Sequence, residues 1–242
     1  MLVGPFLPPS EAGEAAPSDG RVEELTTLVG ERIAAVRQRI AAAGGDPGTI
    51  AIVAVTKGFG PEAPRAAVAA GLPDIGENYA QQLVAKAALV PRARWHFIGR
   101  VQRNKIKELA PIVHLWHSID RIAVGVELAR RRPGAGVLVQ VNVSGEPQKG
   151  GCDWHDAGPL VNQLSDAGLN VRGLMAVGPQ GPPEAARPGF RRLAALARSL
   201  ELPHVSMGMT HDLEVAVQEG ATIVRIGTAL FGPRPGRAGA AR

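Results

Sequence analysis

The chain has 242 residues, 45% of them hydrophobic, so it can bury one large core; this length suits a single α/β barrel or two smaller domains. Its net charge is +5, but only 4% of the residues are aromatic, which argues against a nucleic-acid surface of interleaved basic and aromatic side chains. A single cysteine, Cys152, excludes a disulfide framework and a thiolate metal cluster, and fits a reducing, cytoplasmic setting.

Both ends of the chain differ in composition from the part between them. Residues 1–17 are rich in Pro, Gly, Ala and Glu and lack a basic region before an apolar stretch, so we predict a disordered tail rather than a signal peptide. Residues 233–242 are similar and are predicted to form a flexible tail. No apolar stretch approaches the length that spans a bilayer. The folded domain is expected over residues 18–232.

The domain begins with a helical pattern and then alternates between strands and helices. Apolar residues at helical spacing predict an N-terminal helix that closes the bottom of the fold: Val22, Leu25, Val29, Ile33, Val36 and Ile40. Strands are predicted at 49–57, 74–78, 94–99, 114–119, 136–143, 171–177, 203–207 and 222–227. Helices are predicted at 61–70, up to Leu89, at 103–110, 120–131 and 154–167, around Phe190 to Leu200, and at 212–219.

Eight strands, each followed by a helix except the last, predict an α/β fold with a closed (β/α)₈ barrel of the TIM type and an extra N-terminal helix. The alternative is a doubly wound open sheet, which usually has fewer strands and often a glycine-rich dinucleotide turn after the first strand. Here the first strand ends in Lys57, and no such turn follows. The barrel is therefore the preferred interpretation.

Lys57 ends an apolar, β-branched strand and is followed by Gly58-Phe59-Gly60-Pro61. Active sites of such barrels lie at the carboxyl ends of the strands. Burial lowers the pKa of an amine and frees its lone pair for attack on a carbonyl. A lysine that merely ends the strand in water is the simpler alternative.

Glycines and hydroxyl groups follow the last two predicted strands. Ser206-Met207-Gly208 and Gly227-Thr228 stand where barrels often bind phosphate on backbone N–H groups. Two ordinary strand-to-helix turns are the alternative. With Lys57, these turns form the layout expected for pyridoxal 5′-phosphate (PLP), in which a lysine forms a Schiff base and the loops hold the phosphate. Arg225 points to the same side as Gly227 and would face the pyridine nitrogen, or else form a salt bridge in the barrel.

These residues carry a resemblance to a known family. The motifs are Val55-Thr56-Lys57, Gly76-Glu77-Asn78-Tyr79, His96 to Lys105, His117 to Asp120, Gln140 to Val143, Gly173-Leu174-Met175, Ser206 to Asp212 and Val224 to Thr228. From about residue 20 to Gly232 the chain resembles the pyridoxal phosphate homeostasis proteins, the YggS/PROSC-like family. That family is similar in fold to the amino-terminal barrel of alanine racemase, a fold-type III PLP barrel, but lacks its C-terminal β domain.

The resemblance implies a set of cofactor-binding residues and no metal site. It implies that Lys57 holds PLP as a Schiff base and that Arg225 lies near the ring nitrogen. It assigns the phosphate to Ser206, Gly208, Gly227 and Thr228. It also places Asn78 and Asn142 in the pocket wall, with Met175 and Met207 packed around the cofactor.

The expected function is intracellular PLP homeostasis, as a carrier or regulator of the free cofactor. The alternative is a PLP-dependent racemase-like enzyme, or a weak side activity of that or a transaminase-like kind. Racemisation needs a second acid/base opposite Lys57, and the single tyrosine, Tyr79, follows the second predicted strand. A barrel hydrolase that uses Glu77 with His96 or His117 is a weaker alternative. We expect a monomer in the cytoplasm that meets PLP-dependent apoenzymes transiently, and neither nucleic acid nor membrane as a partner.

Overall fold

The computed structural model describes residues 19–234, apart from the side chains of Asp19 and Arg21. The tail predicted over 1–17 lies outside the described residues, as do residues 235–242 of the predicted C-terminal tail. Within the described part of the chain, no helix has both the length and the apolar character needed to cross a membrane.

Eight parallel strands pair in chain order and close into a barrel. The strands are β1 (Ala51–Val55), β2 (Asp74–Glu77), β3 (Arg94–Phe97), β4 (Val113–Ile119), β5 (Gly136–Gln140), β6 (Asn170–Met175), β7 (His204–Ser206) and β8 (Ile223–Ile226). Closure comes from the pairing of β8 with β1, in which Arg225 stands opposite Val53. The predicted barrel is confirmed, and the open sheet is excluded because no strand is left at an edge.

Helices connect the strands on the outside of the barrel. They are α1 (Asp19–Ala42), α2 (Glu62–Ala69), α3 (Ala80–Leu89), α4 (Ile106–Leu109), α5 (Ile122–Arg131), α6 (Trp154–Asp166), α7 (Arg187–Ser199), α8 (Leu213–Gln218) and α9 (Thr228–Phe231). Short 3₁₀ helices occupy Arg103–Lys105, Pro147–Lys149 and Pro183–Ala186. Each predicted helix has its counterpart within a few residues.

The expectation that no helix follows the last strand is wrong. The carbonyl of Gly227 accepts hydrogen bonds from the N–H groups of Leu230 and Phe231, which closes one helical turn directly after β8. The ring of Phe231 packs against that of Phe59, with centroids 5.4 Å apart. A single turn is too short to produce an apolar period in the sequence, so the pattern did not reveal α9.

The predicted N-terminal helix is confirmed, but it does not close the bottom of the barrel. Its apolar face is buried at Val29 and Ile33 against the outer layer, and α1 packs beside α2, α8 and α9. Arg32 donates to the carbonyl of Leu230 at 2.9 Å, and Arg39 forms a two-pronged ion pair with Glu214 at 2.6 and 2.9 Å. The helix therefore braces the last two helices of the barrel from outside.

Two apolar layers fill the molecule. The larger lies between the strands and the helices. The smaller lies inside the barrel and consists of Val53, Leu115, Leu138, Met175 and Ile223. Because residues of one strand alternate between these layers, the layer of one residue fixes the direction of its neighbours.

Candidate functional site

Lys57 lies just beyond the carboxyl end of β1. Val53 of that strand belongs to the apolar cluster inside the barrel. Since alternate residues of a strand share a side, Lys57 leaves β1 on the interior side. The side chain is half-buried and lines a cavity of about 240 Å³. The lysine therefore stands at the mouth of the barrel, where β1, β8 and the loop after β7 meet.

The wall of this cavity is partly apolar and partly cationic. Its apolar residues are Val55, Phe59, Ile98 and Met209. Its polar and glycine residues are Lys57, Thr210, His211, Arg225, Gly227, Thr228 and Arg234. Three of these side chains are Lys or Arg, and among the described residues that line the cavity none is a carboxylate. Such a wall suits an anionic ligand with an apolar body.

Arg225 is the most deeply buried cation of the cavity, with 4% of its surface exposed. Its Nη1 donates to the carbonyl oxygen and the hydroxyl of Ser206 at 2.8 and 2.7 Å, and its Nη2 donates to the carbonyl of Ala176 at 2.8 Å. Burial lowers the pKa of Arg225 to about 10, and the charge of Asp212 opposes that shift. Arg225 therefore stays charged near neutral pH, held by neutral acceptors within the described part of the chain.

The loop after β7 depends on Gly208. This residue has φ +91°, and a Cβ atom built on it would lie 2.5 Å from the Cβ of Ala216, so only glycine fits without strain. Its carbonyl accepts the N–H of Arg225 at 3.0 Å, while Asp212 Oδ1 accepts the N–H of Met209 at 2.6 Å. These bonds tie the loop to β8 and to the start of α8.

Four of the predicted cofactor residues line the cavity: Lys57, Arg225, Gly227 and Thr228. Gly208 shapes the adjoining loop through its backbone. Three others point into packed layers instead. Ser206 is fully buried inside the barrel, with its hydroxyl bonded to His117 and Arg225, and Met175 belongs to the interior apolar cluster. Met207 follows the inward-facing Ser206, so its side chain points outward into the layer under the helices and does not line the cavity.

The two predicted asparagines also lie off this cavity. Asn78 lines a neighbouring cavity of about 410 Å³ together with Tyr79, and its buried Oδ1 has no hydrogen-bond partner among the described residues. Asn142 is used by its own loop: its Oδ1 accepts the N–H groups of Ser144 and Gly145, at 3.3 and 3.0 Å. These bonds turn the chain after β5, which ends at Gln140 rather than at residue 143 as predicted.

The sequence did not reveal several cavity residues. Arg234 falls within the tail predicted to be flexible, yet its side chain lies beside Gly58 and lines the cavity. Thr210 contributes a second hydroxyl from the loop after β7. The motif Ser206 to Asp212 contains Thr210 and was the available signal for it, whereas no periodicity marks Arg234.

The hydrolase alternative finds no support in the geometry. Glu77 points outward from β2. Its Oε1 accepts hydrogen bonds from Lys86 Nζ at 2.5 Å and from the hydroxyl of Thr56 at 2.8 Å. His96 and His117 lie inside the barrel and bond to each other at 2.9 Å. Within residues 19–234, no group of three or more His, Cys, Asp and Glu side chains is arranged to hold a metal ion.

Comparison with known proteins gives consistent matches over most of the chain. Residues 31–235 match the family described as alanine racemase, N-terminal domain. The chain is 44% identical over 224 residues to a pyridoxal phosphate homeostasis protein of Pseudomonas aeruginosa, covering 86% of this chain and 96% of that protein. It is 40% identical to a protein of the same description from Aquifex aeolicus, covering 84% of this chain and 97% of that protein.

A solved structure extends the likeness to three dimensions. PipY of Synechococcus elongatus, solved with PLP bound, aligns with a TM-score of 0.74 and 32% sequence identity. The alignment covers 84% of this chain and the whole of that chain, 100%. The likeness therefore extends over the entire barrel rather than over one motif.

Proposed function

The chain belongs to the family of pyridoxal phosphate homeostasis proteins, and we propose that it binds PLP in the cavity that Lys57 lines and acts as a carrier or regulator of the free cofactor. In this proposal the Nζ of Lys57 bonds covalently to the aldehyde carbon of PLP, with loss of water. PLP-dependent apoenzymes in the cytoplasm are the proposed recipients, and the carrier is proposed to act as a monomer.

One observation carries the proposal: the cavity beside Lys57 has three cationic side chains and, among its described lining residues, no carboxylate. PLP carries a phosphate that is negatively charged near neutral pH. The hydroxyls of Thr210 and Thr228 and the backbone at Gly227 are suited to donate to its oxygens. Arg234 would add a charge-assisted hydrogen bond. The residues present therefore fit the cofactor.

Arg225 bears on what the bound cofactor does. PLP supplies an aldehyde that bonds to amines and a ring that withdraws electrons from the bonded carbon. The guanidinium of Arg225 is charged and only donates hydrogen bonds. Facing the ring nitrogen, it would keep that nitrogen unprotonated and weaken the withdrawal of electrons. This favours storage of the cofactor over strong catalysis.

The racemase alternative needs an acid/base on each face of the substrate. Lys57 would supply one. Tyr79, the one tyrosine of the chain, is 59% exposed and lines the neighbouring cavity rather than that of Lys57. The carrier is accordingly the function that this site supports best.

The first test is a visible absorption spectrum of the protein with PLP, repeated on Lys57→Ala. We expect a band from lysine-bound PLP that borohydride fixes covalently and that Lys57→Ala loses. Lys107→Ala, which removes an exposed lysine of α4, serves as the matched control and should keep the band.

Mass spectrometry of the reduced protein locates the attachment. Reduced PLP on Lys57 supports the proposal, and a wild type without any band, or a band that survives Lys57→Ala, overturns it. Assays of amino-acid racemisation then separate the two classes of function: turnover at enzymatic rates would replace the carrier by the racemase.

A further inference from the structure

A chain of hydrogen bonds crosses the interior of the barrel from the amino ends of the strands to the cavity. We propose that Ser206, His117 and His96 are positioning residues. They hold the Arg225 side chain in the orientation in which it would contact the cofactor, and Asp74 ends this series of hydrogen bonds as an acceptor. The proposal rests on the function proposed above, because Arg225 acts there through the ring of PLP. These five residues are called the interior chain below.

Each link of the interior chain joins two strands. His96 Nε2 lies 3.0 Å from Asp74 Oδ1, and His96 Nδ1 lies 2.9 Å from His117 Nε2. His117 Nδ1 lies 3.0 Å from Ser206 Oγ, which accepts from Arg225 Nη1 at 2.7 Å. The chain thus runs through β2, β3, β4, β7 and β8. Its members from His96 to Arg225 are all buried, so bulk water has little access to these bonds.

Arg225 and Asp74, the two ends of the interior chain, limit which of the groups between them can donate. A guanidinium only donates, so Ser206 Oγ must accept from Arg225. At the other end, burial acts to raise the pKa of Asp74, but hydrogen bonds from His96 and Arg94 outweigh burial and hold the pKa well below its ordinary value of 3.8. Asp74 is therefore an ionised carboxylate that only accepts.

One arrangement of protons then satisfies every link with neutral histidine rings. His96 carries its proton on Nε2, facing Asp74, so its Nδ1 is an acceptor. His117 must therefore carry its proton on Nε2, which leaves its Nδ1 to accept from the hydroxyl of Ser206. In the opposite tautomers, His96 Nε2 would be an acceptor facing the acceptor Asp74 Oδ1, and that link would be lost.

This arrangement makes the Ser206 hydroxyl a fixed acceptor for Arg225. Hydrogen bonds in a chain polarise one another, so a hydroxyl that donates to His117 accepts more strongly from Arg225. Burial is the largest cause that lowers the pKa of His117 well below its ordinary value of 6.5, and the charge of Arg225 acts in the same direction. The ring therefore stays neutral near neutral pH. Arg225 uses three of its five N–H groups inside the barrel and keeps the others for a ligand in the cavity.

The proton arrangement is tested on the cofactor-free protein by nitrogen NMR of the histidine rings, assigned with single histidine variants. We expect the proton that each ring donates to lie on Nε2 in both His96 and His117, with Nδ1 as the acceptor. A proton on Nδ1, or a charged ring, at either position would overturn the interior chain. This measurement uses no PLP, so its outcome is independent of the proposed function.

Three variants test the positioning of Arg225. His117→Leu removes the acceptor of Ser206, and we expect PLP to bind about 10-fold more weakly and its absorbance maximum to move. Ser206→Ala removes the hydroxyl with a smaller change in volume and should act in the same direction. His117→Asn, whose side-chain oxygen can accept near the Nδ1 position, should restore most of the affinity. His155→Leu, at an exposed position of α6, is the matched control and should bind like the wild type.

All four variants retain Lys57, so borohydride should still fix PLP on each at saturating concentration, and circular dichroism checks that each is folded. Folded His117→Leu and Ser206→Ala proteins with the affinity and spectrum of the wild type would overturn the positioning role. A wild type that binds no PLP overturns the proposed function and, with it, the role toward the cofactor, while the NMR result still decides the proton arrangement.

Discussion

At the scale of single residues, Gly208 offers the sharpest test of the geometry around the cavity. Gly208→Ala would force a side chain into a left-handed conformation and bring its Cβ to 2.5 Å from that of Ala216. We expect a loss of about 1–3 kcal/mol in the free energy of unfolding from strain of this kind, measured by denaturant titration. The loop that carries Thr210 should be displaced as well.

Gly220 supplies the matched control for this change. It has φ +94°, close to that of Gly208, but a Cβ there would lie 3.8 Å from its nearest neighbour, the Cβ of Ala194. Gly220→Ala therefore carries the backbone strain without the collision and should cost less. Equal losses in the two variants would show that the contact with Ala216 contributes nothing.

The side of a strand on which a side chain lies could be predicted from the sequence, because strand alternation decides it. The position of that side chain along the barrel axis could not. Alternation placed Arg225 and Gly227 on the same side of their strand, and both line the cavity in the structure. The same rule turns Ser206 inward and Met207 outward, whereas the resemblance assigns Ser206 to the phosphate and packs Met207 around the cofactor. Ser206 stops below the cavity because His117 and Arg225 engage its hydroxyl, a contact between distant strands that spacing along one strand cannot reveal.

At the scale of elements, a buried ion pair joins β2 and α3 to the end of β1. Lys86 Nζ donates to Glu77 Oε1 and to the carbonyl of Thr56, the residue before Lys57. Lys86 and Glu77 are 5% and 0% exposed. Lys86→Met is expected to cost about 3–5 kcal/mol of unfolding free energy, because the carboxylate of Glu77 stays buried without its cation. Denaturant unfolding measures the loss.

Two further variants separate the pair from a general effect of losing a lysine. Lys107→Met, at an exposed position of α4, should stay within about 0.5 kcal/mol of the wild type. The double variant Glu77→Gln/Lys86→Met should lose less than the sum of its single changes, because no buried charge remains. Additive losses would mean that the two side chains do not stabilise each other.

The order of elements could be predicted from the apolar pattern, because the run at 136–143 and the periodic face of α1 are long enough to identify a strand and a helix. The residues at which the elements begin and end, and the way the elements pack, could not be predicted from that pattern. The structure starts β1 at Ala51 because the N–H of Ile50 bonds to the carbonyl of Asp46 in a turn. The side of the barrel that α1 covers depends on hydrogen bonds from Arg32 to Leu230 and from Arg39 to Glu214. These partners are 198 and 175 residues apart in the sequence, so no local pattern predicts the contacts.

At the scale of the whole molecule, three histidines of the barrel strands couple the fold to pH. Burial is the largest cause that lowers the pKa of His114, His117 and His204 from the ordinary value of 6.5. The unfolded chain therefore binds protons at a higher pH than the folded one. Their contribution to stability is fully present above pH 6.5 and is lost as the pH falls below it. The carboxylate of Asp74, whose pKa lies below 3.8, supports the fold throughout this range.

We therefore expect the free energy of unfolding to decrease steadily as the pH falls from 6.5 toward 3.8, the ordinary pKa values of His and Asp. Urea titrations of the cofactor-free protein across this window measure the slope. Of the three histidines, His117 is the one that is fully buried, so His117→Asn should flatten the slope whatever it does to absolute stability. His155→Gln, at an exposed position, should leave the slope unchanged. A wild-type stability that is constant over this window would mean that His117 takes up its proton inside the folded barrel, and the neutral ring required by the interior chain would then exist only at higher pH.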